Sequence, residues 1–392
     1  MISEVMRVLR SILSTLFVCV SCLEPYAPPV NASPDRMLVV DGYIDMGGFA
    51  VVKLTRSMPL YHAGLTPLEV GASVSISSSV GEEFNLTESD SSVYTASGLS
   101  VNSSATYSLH IKTASGEEYQ SDNVKIYRTP DVGSIYYRVQ PIRDAIEIVT
   151  DANDDSPDAT GFYLIDCIET WEYHSPAFSK FIIVNGSVRE RTEEEMVSIC
   201  WRNQSQPTTL ANTNAYSEHM ISGHRVSTIE KFSPKISLRY SALVRQRSIS
   251  REEYEYRDQL LKSTEQLGSL FAVIPGPVAS NVRSITNPGE YVLGYFRGQE
   301  LKEKRAFIKH ADLPEDFSGS RSVACEVEFT CPIGAQINGP NTCLEINQLS
   351  SSSVVVSLLE LTPGVLLKVG FVRAECGDCT SLGGTTTKPA FW

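Results

Sequence analysis

The sequence predicts a mainly β protein, with an N-terminal β-sandwich followed by a larger β-rich domain that carries one prominent helix. Three observations support this fold class. Short segments in which apolar and polar residues alternate follow one another from residue 36 onward. Turn-forming residues separate these segments at spacings of about 8–12 residues, as in all-β domains. A single segment near residue 250 carries helix start and stop signals instead.

Seven strand signals fall within residues 36–129. The first two, at 37–44 and 49–57, flank Asp45-Met46-Gly47-Gly48, a sequence that predicts a hairpin turn. The other five are predicted at 72–76, 82–86, 91–95, 105–111 and 117–126. Seven short antiparallel strands joined by turns are typical of an immunoglobulin-like sandwich, which we therefore predict for this region.

Residues 130–392 keep strand character with less regular spacing, and they predict the larger β-rich domain. Its strands are predicted at 135–139, 145–150, 161–173, 181–184, 239–246, 291–297 and 323–329. The apolar stretch 354–372 is interrupted by Glu360, Pro363-Gly364 and Lys368. It therefore predicts two strands around a turn rather than a membrane span.

The prominent helix is predicted near residues 250–267. Ser250 is placed to cap its N-terminus, Glu253 completes a capping box, and Gly268 ends it. Its apolar positions are Tyr254, Leu260, Leu261 and Leu267.

Residues 1–22 predict a lipoprotein signal peptide. Arg7 and Arg10 precede an apolar run of residues 11–20, which is followed by Ser21-Cys22. The run is too short to span a bilayer, which takes about 20 apolar residues. We expect Cys22 to be acylated and to become the mature N-terminus, the alternative being an ordinary secretory peptide. Residues 23–35 contain four prolines and predict a stiff, extended tether.

The overall composition predicts an exported, folded protein. Apolar residues make up 42% of the chain and charged residues 20%, which supplies material for packed cores. The net charge of −13 argues against binding to nucleic acid or, by charge, to anionic lipid.

Seven of the nine cysteines follow Cys22, and export makes disulfides the favoured state. The candidate disulfide cysteines are Cys167, Cys200, Cys325, Cys331, Cys376 and Cys379, with Cys343 as the seventh. An odd number leaves at least one free or paired with another chain, and the spacing does not reveal the pairing. Two alternatives remain open. The thiols can all be reduced, or Cys325, Cys331, Cys376 and Cys379 can bind zinc, although five residues separate the first two, outside the usual two to four.

Two other segments offer oxygen or nitrogen ligands for metals. Residues 151–158 place Asp, Asn and Asp at alternate positions, as in a calcium loop, but lack the glycine and the final glutamate. We favour a solvated acidic loop and leave calcium binding open. Glu218, His219 and His224 have no recognised metal-site spacing, so surface residues are the preferred interpretation. We therefore predict no metal site and no cofactor.

Catalytic signatures are not found in the sequence, and we predict no catalytic residue. It contains no Gly-x-Ser-x-Gly elbow and no phosphate-binding glycine-rich loop. The run Glu193-Glu194-Glu195 is better explained as a solvated turn than as an acid/base pair. The aromatic group Trp171, Tyr173, His174 and Phe178 is compatible with a ligand-binding face, but core packing is favoured.

Several stretches resemble a Bacteroidota outer-membrane lipoprotein family, domain of unknown function 4249. The similar stretches are residues 38–44, 51–57, 250–254, 268–271, 287–296, 376–379, 383–385 and 388–392. The resemblance implies an outer-membrane lipoprotein acylated at Cys22, with no assigned catalytic residues. It also implies a TonB-dependent transporter as partner, because members of the family are often encoded beside one.

We therefore expect a lipid-anchored, non-catalytic accessory or binding partner of a TonB-dependent transporter. Whether it faces the periplasm or the cell surface stays open. A structural or adhesive surface subunit is the alternative, because immunoglobulin-like domains also serve in assembly. A third reading is a surface hydrolase.

Overall fold

Strands dominate the computed structural model of the chain. It describes residues 36–58, 64–153, 160–185, 187–213, 220–266, 278, 280–317, 325–330, 349, 352–363 and 365–392. The predicted fold class is confirmed, because the chain is mainly β with an N-terminal sandwich, a larger β-rich part and one long helix. The signal peptide, Cys22 and the tether lie outside the described residues.

Within the described residues the chain forms twenty-three strands. In chain order they are β1 (Leu38–Asp45), β2 (Phe49–Arg56), β3 (Ser73–Ser78), β4 (Glu83–Asp90), β5 (Val93–Ser97), β6 (Thr106–Lys112), β7 (Glu118–Ser121), β8 (Val124–Lys125), β9 (Val132–Gln140), β10 (Ala145–Asn153), β11 (Phe162–His174), β12 (Phe181–Val184), β13 (Ser187–Glu190), β14 (Ile199–Ser205), β15 (Thr209–Asn212), β16 (Met220–Glu230), β17 (Arg239–Ser248), β18 (Val282–Ser284), β19 (Leu293–Gln299), β20 (Leu301–Lys309), β21 (Glu328–Phe329), β22 (Ser353–Thr362) and β23 (Val365–Arg373). The α-helices are α1 (Arg251–Gln266) and α2 (Ala374–Gly377).

The N-terminal sandwich forms because its strands alternate between buried and outward side chains. In β3, Val74 and Ile76 are buried while the serines between them are partly exposed. The predicted hairpin turn is present, since the N–H of Gly48 donates to the carbonyl of Asp45 at 3.0 Å and Gly48 has φ +80°. All seven predicted strands of this region are therefore found.

Two strands from much later in the chain complete this sandwich. The strand order is β18-β7-β6-β3-β4-β5-β2-β1-β19, and β19 pairs with β1 in parallel. The side chain of Phe296 in β19 is fully buried with the core residues of β1 and β2. A domain boundary at residue 130 stays a prediction, and the structure adds that residues 282–299 return to the first sheet.

The larger part is a second two-sheet arrangement around its own core. One sheet has the order β16-β10-β9, and the other has the order β14-β11-β17-β20 with β15 also on β11. Side chains from both sheets share one apolar cluster, which includes Ile146 and Ile148 on one side and Ile165 and Val244 on the other. Within the described residues of these two sheets, the sequence did not predict β14, β15, β16 and β20.

The C-terminal region forms a separate small sheet. Strands β22 and β23 form an antiparallel hairpin, with β21 beside β23, so the two-strand interpretation of residues 354–372 is confirmed. Among the described residues, no helix has the length and apolar character needed to cross a bilayer.

Helix α1 begins where the sequence predicts. The Ser250 hydroxyl accepts the N–H of Glu253 at 3.1 Å, while the Glu253 carboxylate binds Arg257 on the next turn. Its packing is concentrated at its start: the Tyr254 ring lies 4.8 Å from that of Phe162. Leu260 and Leu261, which we predicted as apolar positions of the helix, are 38% and 45% exposed.

Candidate functional site

An open groove of about 1090 Å³ lies at the end of β11. Tyr173 and His174 form its first wall, residues 228–238 form the second, and Glu375 and Leu382 lie on the third. We call this feature the lateral groove. This volume is slightly above the roughly 300–1,000 Å³ that is typical of small-molecule sites, so the groove has room for a ligand.

The second wall is a tight turn between β16 and β17. A 3₁₀ turn spans Pro234–Ile236, and the hydroxyl of Ser233 accepts the N–H of Lys235 at 3.4 Å. Proline suits this first helical position because its φ is fixed and no N–H is lost from a hydrogen bond. Ile236 is buried at the centre of the turn, and its carbonyl lies 3.0 Å from Nδ1 of His310. Burial of the Ile236 side chain and the contact of its carbonyl with His310 therefore fix the turn.

The third wall is fixed by a disulfide. Cys379 is bonded to Cys200 of β14, and its carbonyl accepts a hydrogen bond from the Tyr173 hydroxyl at 2.5 Å. Gly384 packs so closely that a methyl group there would overlap the Tyr173 hydroxyl. The end of β11 and the C-terminal segment thus form one rigid side of the groove.

A buried carboxylate lies behind the groove. Glu169 is fully buried, and its Oε1 accepts hydrogen bonds from Ser227 at 2.6 Å and Tyr240 at 2.7 Å. Its Oε2 lies 2.5 Å from both Nζ of Lys235 and Nε2 of Gln206. Burial of a carboxylate is costly unless it is paired and hydrogen-bonded. These four partners satisfy it.

The groups around Glu169 are themselves mostly buried. The Lys235 amine lies 5.1 Å from the ring centre of Trp171. Burial raises the pKa of the Tyr240 hydroxyl well above its usual range. Burial, together with the nearby charge of Glu169, raises the pKa of the Cys167 thiol to about 12. Cys167 is therefore protonated at neutral pH and is a poor nucleophile.

The rim of the lateral groove is both apolar and charged. Phe232, Leu238 and Leu382 are 46%, 36% and 47% exposed. The charged residues of the lining are Arg143, Lys231 and Lys235 against Asp144, Glu230 and Glu375. Equal numbers of opposite charges beside exposed apolar side chains suit a partner with mixed chemistry, such as a protein segment.

Four of the candidate disulfide cysteines form two disulfides. Cys200 pairs with Cys379, and Cys325 pairs with Cys376. These bonds involve three of the four thiols proposed for zinc, so the zinc alternative is wrong for this state of the chain. Cys331 and Cys343 lie outside the described residues.

Cys167 is a correction to the sequence-based set, because it is a free, buried thiol. Its side chain is 1% exposed within the core cluster of the second part.

The other metal candidates are not brought together among the described residues. Asp151 Oδ1 accepts the N–H of Gly223 at 2.9 Å, and residues 154–159 of the acidic loop lie outside the described ranges. Calcium binding there stays open. His224 Nε2 lies 2.8 Å from the Thr209 hydroxyl, burial lowers the pKa of His224, and Glu218 and His219 are not described. Elsewhere in the described chain, no group of three or more His, Cys, Asp or Glu could hold a metal ion.

The acidic run follows its structural interpretation, and the aromatic group follows its own in part. Residues Glu193–Glu195 form a 3₁₀ turn in which Glu195 binds Arg189 at 2.7 Å. Trp171 and Tyr173 are 4% and 7% exposed and belong to the core. The last two members of the aromatic group, His174 and Phe178, are 46% and 48% exposed.

A smaller polar groove of about 430 Å³ lies where α1 meets the N-terminal sandwich. Tyr127, Tyr295 and Arg297 line it. Arg297 is largely buried and contacts Asp41 at 3.3 Å, and burial lowers its pKa. This groove has room for a small polar ligand.

Sequence reasoning missed the residues that build the lateral groove. Phe232, Leu238 and Leu382 are isolated apolar residues in turns. Glu169 is a polar residue within a strand, and no local sequence pattern marks it as part of a site. The dipeptide Ser233-Pro234 was the one available signal, because it marks a turn.

Fold and site together define a mainly β, disulfide-linked protein with open grooves between its parts. The family model described as Domain of unknown function (DUF4249) matches residues 23–305, and the chain belongs to this family. The similar stretches at 376–392 lie beyond the matched residues. Comparison with curated proteins gives no match.

Among solved structures, a two fibronectin type III domain segment from chicken tenascin is similar at 9% identity. The similarity covers 55% of this chain and 92% of that one, with a TM-score of 0.17. At this score the similarity carries no functional argument.

Proposed function

We propose that this protein is a lipid-anchored, non-catalytic accessory or binding protein of the outer membrane, and that its partner is a TonB-dependent transporter. The anchor is the acylated Cys22, followed by the proline-rich tether of residues 23–35. The family resemblance supports the partner class. The lateral groove is the surface through which we expect the partner to bind.

The observation that carries the proposal is the exposed apolar rim on a rigid frame. Phe232 and Leu382 both line the lateral groove and are each nearly half exposed. Large apolar side chains at a preformed concave surface are typical of binding sites. The groups behind the groove are already engaged, because Glu169 is satisfied by four partners and Cys167 is protonated. This arrangement favours binding over catalysis.

The test is co-purification from detergent-solubilised outer membranes. A tagged chain is expected to bring down a TonB-dependent barrel in near-equimolar amount. The double substitution Phe232→Ser and Leu382→Ser is expected to reduce the recovered barrel at least about tenfold, since two apolar contacts are lost. Val80→Ser is the matched control, because Val80 is 59% exposed in the N-terminal sandwich, away from the groove. If no barrel co-purifies with the unaltered chain, the proposal is wrong, and self-association alone would favour the structural alternative.

A further inference from the structure

The polar groove beside α1 is a preformed concave surface. Its lining comes from the start of α1, from the segment around β8, and from β19 with the two residues before β18. The N–H of Asp122 donates to the Asn281 carbonyl at 2.7 Å, which joins two of these segments. Gly298 of β19 lies so close to β8 that a methyl group there would overlap the Lys125 carbonyl oxygen. The groove, of about 430 Å³, is therefore a small, rigid site within the roughly 300–1,000 Å³ that is typical of small-molecule ligands.

Arg297 supplies hydrogen-bond donors at the polar groove. Its side chain is 12% exposed, and its guanidinium lies 5.1 Å from the ring centre of Tyr43. Its Nε donates to Gln299 at 3.2 Å, and its Nη1 donates to Asp41 at 3.3 Å. A guanidinium has five N–H groups, so three of them make no hydrogen bond to another residue in the described part of the chain. Largely buried donors favour acceptor oxygens, which an occupant of the groove can provide.

The charges that line the polar groove nearly cancel. They belong to Asp122, Glu252 and Glu253 on one side of the balance and to Lys125 and Arg297 on the other. The carboxylates oppose an anionic ligand, and the largely buried guanidinium opposes a cationic one. A hydroxyl group suits both, because it accepts a hydrogen bond from a guanidinium and donates one to a carboxylate. The lining therefore favours a neutral ligand with several hydroxyl groups.

Two tyrosines add aromatic surface to the polar groove. Burial raises the pKa of Tyr127, and burial also raises the pKa of Tyr295 to about 12. Both hydroxyls therefore stay protonated at neutral pH and can donate hydrogen bonds. The ring of Tyr295 packs beside that of Tyr256, with 5.4 Å between the ring centres. A sugar ring suits this surface, because its edge carries hydroxyl groups and its faces carry C–H groups that pack on aromatic rings.

We propose that the polar groove binds a neutral carbohydrate of one or two sugar rings. Arg297 and the Glu252 carboxylate bind its hydroxyl groups, and Tyr127 contacts the C–H face of a ring. Binding makes and breaks no covalent bond. Among the described residues, the polar groove and the lateral groove share no lining residue. Carbohydrate binding is therefore independent of the partner that we expect at the lateral groove.

Isothermal titration calorimetry of the purified chain tests the proposal. The neutral probes are glucose, galactose, mannose, maltose, cellobiose and lactose, and the charged probes are glucuronate, galacturonate, glucosamine and galactosamine. We expect at least one neutral sugar to bind in a one-to-one ratio with a dissociation constant of about 1 mM or lower. We expect every charged sugar to bind more weakly than the best neutral one. No binding of any neutral probe at about 20 mM, or equal or tighter binding of a charged probe, overturns the proposal.

Substitutions on two sides of the polar groove locate the bound sugar. Arg297→Gln removes the guanidinium and is expected to weaken binding of the best neutral sugar at least about tenfold. Glu252→Ala, at an exposed position, is expected to weaken it about threefold or more and gives the answer even if Arg297→Gln does not fold. Glu255→Ala is the matched control, because Glu255 is exposed on the same helix and does not line the groove. If Glu252→Ala binds the sugar as tightly as Glu255→Ala, the sugar lies elsewhere and the proposal is wrong.

Discussion

Asn281 holds the backbone of Phe296 from both sides. Its Nδ2 donates to the Phe296 carbonyl at 2.7 Å, and its Oδ1 accepts the Phe296 N–H at 2.9 Å. Asn281 directly precedes β18, and Phe296 lies in β19, the two strands at the ends of the N-terminal sheet. The Asn281 side chain therefore makes the hydrogen bonds that link the two edges of this sheet, where a backbone ladder would otherwise be needed.

Removal of the two hydrogen bonds between the Asn281 side chain and the Phe296 backbone is expected to destabilise the protein. Asn281→Ala leaves a buried N–H and a buried carbonyl unpaired, so we expect the free energy of unfolding to fall by about 2–4 kcal/mol. Urea denaturation of the purified protein measures it. Asn123→Ala, at an exposed position nearby, is the control and is expected to change it by less than about 0.5 kcal/mol. Equal effects of the two substitutions would show that the hydrogen bonds of Asn281 contribute little to stability.

The parallel pairing of β19 with β1 depends on a glycine. Gly294 has φ +96°, and a methyl group there would overlap the carbonyl oxygen of Val40. We expect Gly294→Ala to lower the free energy of unfolding by at least about 3 kcal/mol, because both the conformation and the space exclude a side chain. Gly81→Ala is the matched control: Gly81 has φ +91° but no atom within 4 Å. Its cost is expected to be about 1 kcal/mol. Comparison of the two urea midpoints separates steric overlap from backbone conformation.

The Cys200–Cys379 bond links residues 179 positions apart and fixes the third wall of the lateral groove. Replacement of both cysteines by serine is expected to lower the free energy of unfolding by about 3–5 kcal/mol. The Cys325–Cys376 pair, with a separation of 51, provides the comparison, and its removal is expected to cost somewhat less. Denaturation without reductant measures both. A larger loss from the shorter loop would contradict the chain-entropy explanation.

Stability is expected to fall in mild acid because of His224. Burial lowers the pKa of His224 below its ordinary value of 6.5, so the unfolded chain binds a proton more readily than the folded one. Stability from this group is therefore present above pH 6.5 and is lost as the pH falls below that value. His224→Gln is expected to keep the bond to Thr209 and to reduce the difference in urea midpoint between about pH 7.5 and about pH 5.5. An unchanged pH dependence in this variant would assign the effect to other groups.

The parts of the fold that could be predicted from sequence are those set by local patterns. Alternation in β1–β8 and the cap at Ser250 need only neighbouring residues, and both were predicted correctly. The return of β19 to β1 was missed because a pairing across more than two hundred residues leaves no local signal. We predicted that disulfides form but not which cysteines pair. Cys376 and Cys379 are only three residues apart, yet Cys376 is bonded to Cys325 and Cys379 is bonded to Cys200.

The lateral groove could not be predicted for a similar reason. Its walls come from the end of β11, the turn around Pro234 and the segment near Leu382, which meet only in the folded chain. Phe232 and Leu382 look like ordinary turn residues in the sequence, and their exposure is known only from the structure. The buried position of the Glu169 carboxylate likewise depends on four partners from other elements, which the sequence does not identify.

The central claim is that the lateral groove contacts a transporter in the outer membrane. Site-specific photo-crosslinking in living cells tests it most directly, with a photoreactive phenylalanine analogue at Phe232 and, as the control, at Val80. We predict a crosslink from position 232 to a TonB-dependent barrel and none from position 80. A barrel crosslinked from position 80 and not from 232, or no crosslinked barrel from either position, would contradict the account.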